Sequence, residues 1–310
     1  MSTGNRLGRV VRLLFAVAGL AFVGIELASH WHQAERLGRS WPRIFVAALL
    51  SLVVLASGAR AWAALLGRPR SAGLRHGFYL SQLGKYVPGG IWQAAGQVGF
   101  ARDEGVALGE ASTAFPVYAV VQVVASATVA AAAALGATGL RPSRRGLILA
   151  GAIFVVVLHR GWMRRVVDLA ARAVTRLHVG LLPGAGAIAR AYLWSATSLL
   201  LAGVAFAVLL EPQGIAWWFA AIAAFGTAWW IGFVALPFPS GIGVREAVLV
   251  GLLTPHLSTG SILAAALGQR IVAIAAEITI VAVSALRRRR ARPPTDAPVD
   301  PLIGRRAAAP

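Results

Sequence analysis

Long apolar runs alternate with short, arginine-bearing polar segments along most of the chain. Helices of about 20 apolar residues cross the hydrocarbon core of a bilayer. The pattern predicts an all-α polytopic membrane protein with about eight membrane segments, or six if the shorter apolar segments do not cross. The predicted spans are 13–28, 44–66, 111–139, 188–210, 215–236 and 261–286, with a shorter apolar segment at 146–158. Residues 163–177 separate arginines from apolar residues on two helical faces, which predicts an interfacial amphipathic helix, with a soluble helix between two spans as the alternative.

One stretch, Ser81–Gln93, lies among these runs but cannot be an ordinary spanning helix. Pro88 lacks a backbone N–H and clashes with the preceding turn, and Gly89 and Gly90 loosen the backbone after it. Lys85, the only lysine in the sequence, lies just before this break. Broken backbone is not tolerated against lipid. We therefore expect a re-entrant segment that is buried in protein or lines a wet cavity.

A second interrupted stretch, Leu236–Glu246, repeats the local pattern of the first. Residues 87–91 and 238–242 both follow the order apolar, proline, small, glycine, isoleucine. Matched interruptions by proline and glycine in the two halves of a membrane protein point to an internal two-fold repeat and to a transporter's binding site. Two unrelated loops between helices are the alternative, since Pro-Gly pairs mark turns in many proteins.

The composition also indicates a membrane protein, because 58% of the 310 residues are hydrophobic and only 13% are charged. We predict a single membrane domain at 13–286, between an N-terminal segment at 1–12 and a basic, disordered tail at 287–310. The net charge of +19 comes almost entirely from arginines between apolar runs. The positive-inside rule explains this charge better than nucleic-acid binding does. It predicts a multi-pass plasma-membrane protein with both termini in the cytoplasm.

Several kinds of chemistry find no support in the sequence. The chain has no cysteine, which excludes disulfides and thiolate chemistry. It contains no His-Glu-x-x-His motif and no Walker A motif. We therefore predict no cofactor, no metal site and no catalytic residue.

Ionisable residues inside apolar segments are the main candidates for function. A charge at the middle of a bilayer costs at least ~2.5–3.5 kcal/mol on insertion scales, so each should have a partner. Arg270 and Glu277 share one face of the last span but are about 10.5 Å apart along the axis, too far to pair with each other. Arg245 and Glu246 follow the second break, where exposed helix N–H groups favour an anion such as a lipid phosphate. A purely structural ion network is the alternative.

These charges and the residues of the two breaks form the predicted lipid-binding site. Its members are Lys85, Tyr86, Pro88, Gly89, Gly90, Trp92, Gln93, Pro239, Gly241, Gly243, Arg245, Glu246, Arg270 and Glu277. Glu26, Arg60 and Arg190 also lie in apolar context. Glu26 and Arg60 are near span ends, where long side chains can reach the interface.

The segments SQLGKYVPGGIWQAAGQ (Ser81–Gln97) and LPFPSGIGVRE (Leu236–Glu246) resemble the two signature regions of the lysylphosphatidylglycerol synthase transmembrane family, also called flippase-like. The resemblance covers most of residues 10–286 and implies a membrane domain that handles lipids. The chain departs from the family in lacking its soluble aminoacyl-transferase domain, so we do not expect lipid synthesis. It also has Ser240 where the family more often has glycine.

The first hypothesis for function is therefore translocation of a phospholipid or polyprenyl-linked lipid between leaflets, without ATP hydrolysis. The expected partner is a membrane lipid with an anionic or phosphate-bearing head group, and not a nucleic acid. A non-catalytic membrane partner of an envelope-lipid or polysaccharide assembly system is the alternative. An intramembrane head-group transferase would need a general base such as Glu246 or Glu277, and the missing metal motif counts against it.

Overall fold

The computed structural model describes residues 41–86, 92–155, 182–234, 243–254 and 256–291, and within these ranges every regular element is a helix. In chain order the helices are α1 (Trp41–Leu65), α2 (Ala72–Gln82), a 3₁₀ turn (Leu83–Tyr86), α3 (Trp92–Asp103), α4 (Leu108–Gly136), α5 (142–155, up to the end of a described range), α6 (Ala185–Leu210), α7 (Ile215–Val234), α8 (Val244–Leu253) and α9 (Thr259–Ala291).

Five of the described helices, α1, α4, α6, α7 and α9, are long and apolar enough to cross a membrane. Each coincides within a few residues with a predicted span, as expected for a multi-pass helical membrane protein. The predicted span at 13–28, the amphipathic helix at 163–177 and the tail beyond residue 291 lie outside the described residues. The total of eight membrane segments therefore stays a prediction.

Helices α1 and α6 pack side by side in opposite directions. Arg43 near the start of α1 forms an ion pair with Glu211 just after α6. Further along, the hydroxyl of Ser198 donates to the carbonyl oxygen of Val54 at 3.0 Å. From the first of these contacts to the second, the residue number rises in α1 and falls in α6, so the two helices are antiparallel. We call the end of the bundle that carries this ion pair the Glu211 end.

Small residues allow α4 and α7 to approach closely. The hydroxyl of Ser126 donates to the carbonyl oxygen of Gly226 at 2.8 Å. A Cβ added to Gly226 would lie 3.1 Å from the Cβ of Ala130. No larger side chain than glycine fits there without a shift, so close helix contact at this point depends on these residues.

An aromatic cluster joins α1, α2 and α4 close to the start of the first interrupted stretch. The ring of Tyr118 makes edge-to-face contacts with Trp62 and Phe78, each with ring centroids 5.9 Å apart. Trp62 and Phe78 are almost fully buried. Such ring pairs contribute about 0.5–1.5 kcal/mol beyond their buried area, so α2 is held firmly against the long helices.

Candidate functional site

Helices α2 and α3 form an antiparallel hairpin around the first break. Four glycines lie where the two helices touch, and a Cβ added to each would approach the opposite side within 3.2 Å: Gly73 meets Glu104, Gly77 meets Phe100, Gly84 meets Gln93 and Gly96 meets Ser81. From one pair to the next, the residue number rises on the α2 side and falls on the α3 side. The hairpin is therefore antiparallel along its whole length. The glycines let the two backbones lie close together.

The two ends of this hairpin lie at one end of the bundle. The guanidinium group of Arg68, before α2, donates to the carbonyl oxygens of Glu104 and Gly105, after α3, at 2.8 and 3.1 Å. Arg288, near the end of α9, forms an ion pair of 2.7 Å with the carboxylate of Glu104. We call this the Arg288 end. His76 of α2 adds a contact of 2.7 Å between its Nδ1 and the hydroxyl of Ser284 in α9.

The hairpin is too short to cross a bilayer. Helix α2 has 11 residues and α3 has 12. At 1.5 Å per residue they are about 16–18 Å long, roughly half the ~30 Å hydrocarbon thickness. The turn of the hairpin, with Lys85 in its 3₁₀ segment, therefore lies at about half the depth of the bundle.

Helix α8, which follows the second break, is also short and extends to the opposite end of the bundle. Trp217, in the first turn of α7, contacts His256 after α8 with ring centroids 5.0 Å apart, so α8 ends where α7 begins, at the Glu211 end. At the other end of α8, the guanidinium of Arg245 lies 5.7 Å from the ring centroid of Trp229 in α7. Helix α8 has only 10 residues, about 15 Å. Its first turn therefore also lies at about half depth.

The α2–α3 hairpin with its 3₁₀ turn and helix α8 are the two half-length elements of the bundle. Each of them forms an ion pair with α9. Lys85 pairs with Glu277, with 28% of the lysine side chain and 2% of the glutamate side chain exposed. Arg270 pairs with Glu246 at 2.8 Å, with 23% and 25% of the side chains exposed. The second carboxylate oxygen of Glu246 accepts a hydrogen bond of 2.8 Å from the backbone N–H of Gly243, which caps α8.

These contacts confirm that Arg270 and Glu277 do not pair with each other. The two residues lie on one face of α9, about 10.5 Å apart along its axis, and each has its own partner. Helix α9 runs from the Glu211 end to the Arg288 end, since it follows His256 and carries Arg288 near its C-terminus. The 3₁₀ turn at Lys85 and the first turn of α8, which belong to elements at opposite ends of the bundle, thus contact one face of a single long helix.

Buried amide groups continue the polar character of the hairpin. The side chain of Gln93 donates to the side chain of Gln82 at 3.2 Å. Gln97 is fully buried. Within the described part of the chain, neither side-chain polar atom of Gln97 has a hydrogen-bond partner, and neither does Oε2 of Glu277. The interior around the hairpin therefore holds polar atoms that a water molecule or a ligand can satisfy.

The described part of the predicted site is divided among four places in the fold. Lys85 and Tyr86 lie in the 3₁₀ turn, Trp92 and Gln93 in the first turn of α3, Gly243, Arg245 and Glu246 at the start of α8, and Arg270 and Glu277 in α9. Pro88, Gly89, Gly90, Pro239 and Gly241 lie outside the described residues.

Other charged residues behave differently from this set. Arg60 is exposed on α1, donates to the carbonyl oxygen of Ala56 at 3.2 Å and lies over the ring of Trp194, as expected for a side chain reaching towards an interface. Arg190 is exposed as well, and Glu26 is outside the described residues. Sequence reasoning missed Glu104, because nothing local indicates that an acid after a helix meets Arg288.

No group of three or more His, Cys, Asp or Glu side chains that could hold a metal ion occurs in the described ranges.

In comparisons with known proteins, no family model and no curated protein matches this chain. The resemblance of its two interrupted stretches to the flippase-like family stays a prediction.

Proposed function

We propose that this protein moves an anionic, phosphate-bearing lipid between the leaflets of a membrane without ATP hydrolysis. The observation that carries the proposal is the pairing of two half-length elements, from opposite ends of the bundle, with one face of α9. Interrupted helices that reach the membrane middle from both sides are the arrangement in which transporters build their substrate sites. In this proposal the α2–α3 hairpin is re-entrant.

The charges around the meeting point favour an anion. Lys85, Arg245 and Arg270 supply three positive charges, and Glu246 and Glu277 supply two negative ones. Lys85, Arg270 and Glu246 each keep about a quarter of the side chain exposed. Exposed charges at this depth are tolerated where they face a water-filled cavity and not lipid. A phosphate group entering such a cavity would meet an excess of positive charge.

A lipid is the substrate that fits this placement best. The head group crosses the polar centre near α9, while the acyl chains stay in the bilayer beside the apolar helices. The resemblance of the two interrupted stretches to the flippase-like family supports the same class of substrate.

The proposal is tested with the full chain reconstituted in liposomes, without ATP. Fluorescently labelled phosphatidylglycerol in the outer leaflet is bleached by a membrane-impermeant reductant, so loss of protection of the inner leaflet reports lipid movement. We expect the protein to speed this movement, and Arg270→Gln to return it to the rate of protein-free liposomes. Glu211→Gln, which removes a carboxylate from an exposed ion pair at the bundle end, should leave it unchanged. A wild-type rate equal to that of protein-free liposomes would refute the proposal.

A further inference from the structure

We propose that Glu277 takes up one proton when an anionic lipid binds to Lys85, so that each lipid is carried together with a proton. This inference rests on the proposed function and specifies its coupling. In the exchange, the phosphate oxygen replaces the Glu277 carboxylate at the ammonium group of Lys85. The released carboxylate takes a proton from water and becomes a neutral carboxylic acid. One anion and one proton enter together, so the charge of the site stays the same.

The two members of the pair differ in access, which sets the direction of the exchange. More than a quarter of the Lys85 side chain is exposed, whereas Glu277 is almost completely buried. An incoming phosphate therefore finds accessible surface on the lysine side chain and almost none on the glutamate. It competes with Glu277 for the same cation, since phosphate and carboxylate both form charge-assisted hydrogen bonds with an ammonium group.

Among the described residues, Glu277 has no second anchor that would keep it charged after the exchange. Its Oε1 contacts Lys85, and its Oε2 has no hydrogen-bond partner in the described part of the chain. A buried carboxylate without a cation or hydrogen bonds is so unfavourable that it becomes neutral by binding a proton. Glu246 cannot play this part in the same way, because a quarter of it is exposed and Gly243 donates to its second oxygen.

The surrounding charges do not replace Lys85 as a partner of Glu277. Helix α9 packs against α1, α2, α6 and α8. The charged and titratable side chains on these helices, on the 3₁₀ turn and on the described part of α9 are Arg43, Arg60, Arg75, His76, Tyr79, Lys85, Tyr86, Arg190, Tyr192, Arg245, Glu246, Arg270, Arg287 and Arg288. Among the described residues, the ion pair of Glu277 is with Lys85. The nearest cation on its own helix, Arg270, pairs with Glu246.

Proton uptake can be measured directly on the purified full chain in detergent. Short-chain phosphatidylglycerol, below its micelle concentration, is titrated into the protein in two buffers that differ in ionisation enthalpy. The difference in the heats gives the number of protons bound per lipid. We expect about one proton for the wild type near neutral pH, and an affinity that falls about tenfold for each unit of rising pH.

Two variants assign the proton to its residue. Glu277→Gln carries a permanently neutral side chain, so it should bind the lipid with no proton uptake and with an affinity that does not change with pH. Glu211→Gln should behave like the wild type. The measurement on the wild type stands by itself if Glu277→Gln does not fold.

The possible results separate this inference from the proposed function. Lipid binding to the wild type without proton uptake refutes the inference and leaves lipid translocation intact. Proton uptake that persists in Glu277→Gln shows that another group is responsible, which also refutes it. Absence of lipid binding refutes both proposals. Equal binding of glycerol 3-phosphate, tested in parallel, would identify a water-soluble phosphate ester as the ligand and overturn the assignment to a lipid.

Discussion

Lys85 and Glu277 are 192 positions apart in the sequence and form an ion pair in which nearly all of the exposed surface belongs to the lysine. The pair joins the turn of a short hairpin to the middle of the longest described helix. Removing Glu277 therefore differs in effect from removing Lys85. The first removal leaves a partly exposed cation, and the second leaves a buried anion.

We expect Lys85→Met to destabilise the folded protein more than Glu277→Gln does. The first change breaks the ion pair and leaves a buried carboxylate that must take up a proton or stay charged without its cation, and breaking a buried pair in this way costs on the order of 3–5 kcal/mol. The second leaves an ammonium group on a side chain that is 28% exposed, so its cost is smaller. The double variant should recover much of the loss, since no charge is left unpaired. Denaturant unfolding in detergent measures all three, and a larger loss in Glu277→Gln would contradict the assigned burial.

The Glu246–Arg270 pair lets charge be separated from helix capping. Glu246→Gln removes the charge, but its amide oxygen can still accept from the N–H of Gly243. Glu246→Ala removes both, so it should be less stable than the glutamine variant by about 1 kcal/mol. We expect both variants and Arg270→Gln to abolish lipid movement in the liposome assay.

A matched control for the capping effect is Glu110→Gln against Glu110→Ala, since Glu110 is an exposed acid in the first turn of α4. Neither Glu110 variant should affect lipid movement. Fully active, stable variants at both Glu246 and Arg270 would refute a role of this pair in transport. A structural network without a transport role would instead lose folded protein in parallel with activity.

Cysteine cross-linking tests the α2–α3 hairpin, and the sequence contains no native cysteine to interfere. A Cβ at position 96 would lie 3.2 Å from the Cβ of Ser81, near the ~3.5–4.5 Å range of disulfides. We expect Ser81→Cys with Gly96→Cys to form a disulfide under mild oxidation. Ser81→Cys with Gly99→Cys should not, because a Cβ at position 99 has no neighbour within 4 Å. The opposite preference would show that the helices pack in another register.

Single cysteines at exposed positions test whether the hairpin is re-entrant. We expect a membrane-impermeant maleimide to label Arg70→Cys and Gly105→Cys from one side, which the positive-inside rule makes the cytoplasmic side. Gln213→Cys, in the turn after α6, should be labelled from the other side. Labelling of positions 70 and 105 from opposite sides would mean that the segment between them crosses the membrane.

The sequence predicted the described long helices well, because apolar length alone determines which segments can span a bilayer. It also predicted that Arg270 and Glu277 would need separate partners, since helical rise sets their separation. It did not predict which partners. The pairing of Lys85 with Glu277 depends on how distant helices pack, and that information is spread over many small residues such as Gly84 and Gly96.

The shared use of α9 has a consequence for how the protein is made. Helix α9 follows both half-length elements in the chain, so it leaves the ribosome after them. On entering lipid alone it would carry an arginine and a glutamate, each costing ~2.5–3.5 kcal/mol, whereas Glu246 and Lys85 can neutralise both. The charges have opposite signs, so a shift of α9 by two turns would bring like charges together. Correct insertion of α9 thus depends on the prior formation of both half-length elements. In a chain where they have not formed, the uncompensated charges of α9 would be exposed to membrane quality control.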